Sequence, residues 1–119
     1  MISMEKAREL KSAGLAWVPK QFDFYHNTNN KRDEIVVLNK QAIADTGKVN
    51  LIWFPSLSQL LAEIEARYPY LWQVGRRESG RYKMVLMDCG YNVTSFEADT
   101  PEDACADALL WILKQDVTP

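Results

Sequence analysis

The sequence predicts an α+β fold: an antiparallel sheet on a C-terminal α-β-β-β-α unit, preceded by an N-terminal helix and a β-hairpin. Three observations predict it. A capped amphipathic stripe starts at Ser56, three strand-like runs lie between Tyr70 and Ala98, and an almost wholly apolar helical stretch ends near Gln115. The 119 residues, 47% of them hydrophobic, suit a single domain of about 100–150 residues. Residues 1–55 then form an N-terminal helix and hairpin subregion, and residues 56–116 form the core unit.

Taken in order, residues 3–13 read as a short helix. Ser3 caps it, Ala7 and Leu10 are apolar at a spacing of three, and Gly14 can take the left-handed conformation that ends it. From Leu15 to Leu38 aromatic and β-branched residues (Trp17, Phe22, Phe24, Tyr25, then Ile35 to Leu38) flank a polar, Asn-rich loop from His26 to Asp33, which is a hairpin pattern. Residues 39–48 are ambiguous, with Gln41 to Ala44 able to make one helical turn. Val49 to Phe54 reads as a third strand, stopped by Pro55.

Ser56 and Gln59 fit a capping box, and Leu57, Leu60, Leu61, Ile64 and Tyr68 fall on one helical stripe. Glu63 and Arg67, four apart, face the other way, and Pro69 ends the helix. Tyr70 to Arg77 alternates, Glu78-Ser79-Gly80 is a turn, and Arg81 to Asp88 suits a central strand with Tyr82, Met84 and Leu86 on one side. Cys89-Gly90 turns again. Tyr91 to Ala98 is a strand whose alternation shifts between Val93 and Phe96, as a bulge would cause. In the last helix Thr100 is the N-cap, Pro101 takes the first helical position, and Glu102 and Asp103 meet the positive end of the dipole. Between Ala104 and Leu113 only Asp107 is charged. Either the rest of the chain covers so apolar a helix, or a second copy does.

The stretches from Leu51 to Leu61, from Phe96 to Ala104 and from Leu109 to Leu113 resemble a family of small uncharacterised proteins encoded in phages and prophages of Gram-positive bacteria. The likeness takes in about two thirds of the chain and rests on packing and capping residues, so it implies no activity and no functional residues. The element order from Ser56 to Gln115 is also similar to the double-stranded-RNA-binding domain. That family grips phosphates with lysines at the start of its second helix, where this chain has Glu102, Asp103 and Asp107. Acids there oppose a phosphate, so the resemblance implies the topology without the RNA site.

Composition excludes several classes. A net charge of -2 and a pI near 5.4 give no global attraction to nucleic acid or acidic lipid. The N-terminus lacks the apolar core of a signal peptide, and no apolar run approaches the roughly 20 residues needed to span a bilayer; the expected location is cytoplasmic, without membrane contact. The glycines are scattered singly at turns, not gathered in a phosphate loop. Asp23, His26, Asp33 and Glu34 lack the spacing of a zinc or calcium site, and no cofactor is implied. His26 is the one histidine; it reads as a surface-loop residue that nothing sets beside Cys89 or Cys105, so a cysteine nucleophile has no evident base.

Two surfaces remain as candidate sites. The hairpin tip gathers Arg76, Arg77, Arg81 and Lys83 with Tyr82 beside them, a conceivable phosphate and base-stacking surface, although charges at a sheet edge also discourage aggregation. On the last helix, Trp111 and Leu110 lie at the margin of the polar stripe and are candidates for self-association. Trp17, Trp53, Trp72 and Trp111 are many tryptophans for one small core to hide. These readings favour a non-catalytic, phage-derived accessory protein that acts through protein contacts, as a homodimer. The alternative is a nucleic-acid-binding module on the basic hairpin, and a cysteine-dependent enzyme comes third.

Overall fold

Helix α3 (Pro101–Gln115) is the element on which the others converge. The Thr100 hydroxyl accepts from the Asp103 amide at 3.2 Å, and Pro101 occupies a position that needs no N–H. Eight of its residues, Ala104, Cys105, Ala106, Ala108, Leu109, Leu110, Ile112 and Leu113, are buried. The computed structural model describes residues 1–20, 22–28, 35–37 and 51–115. In it α3 is packed by helix α1 (Met4–Ser12), helix α2 (Leu57–Arg67) and a sheet of strands β4 (Leu71–Arg76), β5 (Tyr82–Met87) and β6 (Val93–Ala98). The chain itself therefore covers the apolar helix, and of the two alternatives left by the sequence the first holds. Even the acidic stripe of α3 is occupied, since Lys6 pairs with Asp107 at 2.6 Å and the Ser3 amide donates to Asp103 at 2.8 Å. The hydrogen bond that Lys6 donates to Asp107, strengthened by the carboxylate's charge, holds the Lys6 ammonium above its ordinary pKa.

The other two predicted helix starts are present as well. The Ser3 hydroxyl accepts from the Lys6 amide at 3.3 Å. In α2 the box is complete, with Gln59 N–H to Ser56 Oγ at 3.2 Å and Ser56 N–H to Gln59 Oε1 at 2.9 Å. Arg67 and Glu63 pair on the outer face as their spacing predicts. Helix α1 ends in a Schellman motif: Leu15 N–H reaches the Leu10 carbonyl at 3.0 Å and Gly14 N–H the Lys11 carbonyl at 3.1 Å, with Gly14 at φ +93°. Nothing lies within 4 Å of a Cβ added at Gly14, so only backbone strain opposes a side chain there. Gly14→Ala is expected to cost about 1 kcal/mol, read as a lowered urea midpoint with unchanged m-value.

The strands form two sheets where the sequence predicts one. Strand β5 lies between β4 and β6, antiparallel to both. The N-terminal hairpin neither extends nor covers this sheet; β1 (Phe24–Asn27) sits between β2 (Val36–Val37) and β3 (Leu51–Phe54) in a second antiparallel sheet. Cross-strand aromatic pairs explain the preference, since Phe24 faces Phe54 and Tyr25 faces Trp53. The hairpin is also shorter than predicted: Trp17 lies outside any strand. Residues 29–34 of the polar loop, the ambiguous stretch 39–48, and Val49 lie outside the described residues.

Two further corrections follow. His26, predicted in a surface loop, is a β1 residue opposite Ile52 and only 2% exposed. Pairing with β3 extends the strand through two polar positions, and alternation turns His26 inward. The bulge predicted in β6 is absent, as Val93 to Ala98 pair with β5 in unbroken register. Thr94, Phe96 and Ala98 lie toward the core, and Val93 is an apolar residue left outside, 61% exposed.

Candidate functional site

The basic hairpin joins β4 to β5 through residues 78–80. Arg77 N–H donates to the Arg81 carbonyl at 2.7 Å and Gly80 N–H to the Arg77 carbonyl at 2.9 Å, with Gly80 at φ +88°. This is a three-residue loop closed by a glycine in the left-handed region. Two of the four cations are already engaged. Arg77 pairs with Glu97 of β6 at 2.6 Å, and Arg81 with Asp99 at 3.4 Å while also reaching the Glu97 carbonyl at 3.5 Å. With Glu78 in the loop, three acids stand among the four cations, so local positive charge is nearly cancelled. Arg76 and Lys83 have no ion pair among the described residues; both line a shallow depression with Gln73, Gly75, Arg77 and Val85. Tyr82 is half-buried and shares the core-facing side of β5 with Met84 and Leu86, whereas Lys83 takes the other side. Alternation thus parts the aromatic ring from the lysine predicted to act with it.

The α3 margin is likewise changed by the fold. Leu110 is 8% exposed and belongs to the core, so it offers no side chain to a second copy. Trp111 is half-buried and lies 6.3 Å from Phe96, ring to ring. Trp17 stacks on Trp53 at 6.3 Å with an interplanar angle of 9°, and its indole N–H donates to Asp23 at 2.8 Å. All four tryptophans are partly covered, Trp72 included.

Sequence reasoning missed the outer face of the β4-β5-β6 sheet, where no helix among the described residues packs. Leu71, Met87 and Val93 form one row across it by register, with Val85 in the next row. Tyr70 and Tyr91 flank that end at 47% and 82% exposure, beside Leu71 at 67%. The outward apolar positions are visible in the alternation of β4 and β5, but the bulge expected between Val93 and Phe96 hides the place of Val93 in the row.

The β5–β6 turn presents Tyr91 from a φ of +61°, a strained conformation for a residue with a large side chain. Asp88 holds the turn: its carboxylate accepts from the amides of Asn92 at 3.0 Å and Gly90 at 2.9 Å and from the Asn92 side chain at 3.1 Å. Those bonds, the Asn92 backbone foremost, keep its pKa below the ordinary 3.8. A depressed carboxylate stabilises the fold above its ordinary pKa and loses that contribution as pH falls through the folded value. Amide exchange at Gly90 and Asn92, corrected for intrinsic pH dependence, is therefore expected to accelerate below about pH 4 and to be insensitive to pH between 5 and 7; a flat profile throughout would count against Asp88 as the anchor.

Among the described residues the histidine and the cysteines do not come together. Cys89 is exposed in this turn, His26 is buried in the other sheet, and Cys105 lies in the core with its thiol pushed up to about 12 by burial. Asp23 is 6% exposed and fully engaged with protein donors, and no group of three potential metal ligands occurs among the described residues. None of the described helices is long and apolar enough to cross a membrane. At the start of α3, Asp103 accepts from the Ser3 amide and Glu102 pairs with the N-terminal ammonium at 3.6 Å, so the acids there are engaged by the chain itself. No family model matches this chain, and no curated protein or solved structure matches it either.

Proposed function

We propose that this chain is a non-catalytic accessory protein that acts through protein contacts and self-associates, of the phage or prophage kind its sequence resembles. The observation that carries this reading is the uncovered apolar end of the β4-β5-β6 sheet, where Tyr70, Leu71, Tyr91 and Val93 are exposed together beside Met87. Clustered apolar exposure of this kind marks contact surfaces more often than isolated exposed residues do. Light scattering over a concentration series is expected to report a dimer. A strict monomer at every concentration would remove self-association.

The nucleic-acid reading rests on Arg76 and Lys83, the cations that have no ion pair among the described residues. It is the weaker of the two, because a phosphate at the hairpin must compete with Glu97 and Asp99 for the other two arginines. Anisotropy titrations with double-stranded RNA, duplex DNA and single-stranded DNA separate the readings. Salt-sensitive binding abolished by Arg76→Ala/Arg77→Ala would reverse their order.

A further inference from the structure

The β4-β5-β6 sheet has two outer strands, and they differ in how their edges are protected. The hydrogen bond from Arg77 N–H to Arg81 fixes the phase of the β4–β5 ladder, and the unbroken register carries it to Gly75, Gln73 and Leu71. The N–H and C=O groups of Trp72, Val74 and Arg76 therefore point away from β5, to an edge with which no strand among the described residues pairs. On β6 the bond from Asp88 N–H to the Asn92 carbonyl sets the phase that turns Val93, Ser95 and Glu97 outward. There Arg81 reaches the Glu97 carbonyl and Arg77 its carboxylate, the kind of charged cover that discourages strand addition. From Leu71 to Gly75, β4 has no charge, no proline and no bulge.

Resting on the self-association proposed above, we infer that two copies of the chain pair their β4 strands antiparallel about a two-fold axis at Gln73, joining two three-stranded sheets into one. The side chains fit this register. Trp72 meets the partner's Val74, an aromatic beside a β-branched residue, at positions where both present free N–H and C=O groups. Leu71 lies over the partner's Gly75, which has open space where a Cβ would be. Gln73 meets its own copy, and an amide both donates and accepts. The charges complement one another: Arg76, with no ion pair among the described residues at the basic end of β4, is carried to the partner's opposite end, where Asp88 follows β5. Centring the pair on Val74 would instead oppose Trp72 to the partner's Arg76 and leave Leu71 without its glycine.

The test uses the full chain. Val74→Pro deletes an N–H that the monomer's own ladder does not use, so unchanged circular dichroism with at least about tenfold weaker dimerisation is expected, the equivalent of 1.4 kcal/mol. Gln73→Cys in a Cys89→Ser background is expected to form an intermolecular disulfide on mild oxidation, because a non-hydrogen-bonded antiparallel pair sets Cα atoms about 4.5 Å apart. Leu71→Cys in the same background is not, its mate lying roughly 13 Å away along the strands. A dimer that ignores Val74→Pro and leaves Gln73→Cys unlinked would overturn the β4 contact and leave self-association standing. A monomer at all concentrations would overturn both.

Discussion

Leu109→Ala is expected to lower the stability of the fold by about 3 kcal/mol, within the usual range for burying a leucine and then deleting most of it. Leu109 is wholly buried in α3, the helix on which α1, α2 and the β4-β5-β6 sheet all pack. A cavity there opens between elements that are held from several directions, so little of it can close by local movement. The helix positions just before Leu109, namely Ala104, Cys105, Ala106 and Ala108, are small already, so that side of the gap offers no long side chain of α3 to fill it. Melting is expected to fall by about 4 °C per kcal/mol, and the urea m-value should stay constant. A loss below about 1 kcal/mol would mean that α3 is less central than its burial indicates.

The same burial explains which parts of the fold were legible in the sequence. Helix starts were legible because a cap is local: Ser3, Ser56 and Thr100 each bond an amide three residues on, and that spacing is written in the chain. Strands β4 and β5 were legible for the same reason, as alternation has a period of two. The division into two sheets was not, because it depends on whether Phe24 and Tyr25 pair with Phe54 and Trp53, about 30 positions away. His26 was misplaced by composition: a histidine before a run of Asn and Lys looks solvated until the opposite strand is known.

The candidate surfaces follow the same division. Charge at the hairpin tip is legible because it is clustered in sequence, but the acids that engage it, Glu97 and Asp99, arrive from the far strand and its exit. Leu110, expected at the margin of the polar stripe, is 8% exposed and belongs to the core. The edge of β4 could not be read at all, since an edge is defined by strand order and not by residues. What the sequence did contain is the absence of charge between Leu71 and Gly75, a feature that gains meaning only once that strand is known to lie outermost.

Asp23→Ala is the second substitution expected to have a large effect, about 3 kcal/mol, although nothing in the sequence marks Asp23 beyond its place near a polar loop. Its carboxylate accepts from Trp17 Nε1 at 2.8 Å, the Lys20 amide at 3.0 Å and Gln59 Nε2 at 2.7 Å. The last bond matters twice. The other end of the Gln59 amide accepts from Ser56 N–H in the α2 capping box, so Asp23 fixes which way that amide points. Removing the carboxylate leaves partly buried donors unsatisfied, frees Trp17 from its stack on Trp53, and loosens the start of α2. Asp23→Asn preserves shape but turns an NH2 toward groups that are all donors, and should cost about 2 kcal/mol. Gln59→Ala alone removes the cap partner and one donor. If the chain of bonds acts as a unit, Asp23→Ala/Gln59→Ala will be less destabilising than the sum of its parts by about 1 kcal/mol, measured by urea denaturation. Strict additivity would mean that the two side chains act separately, and that the N-terminal segment is held to α2 by packing alone.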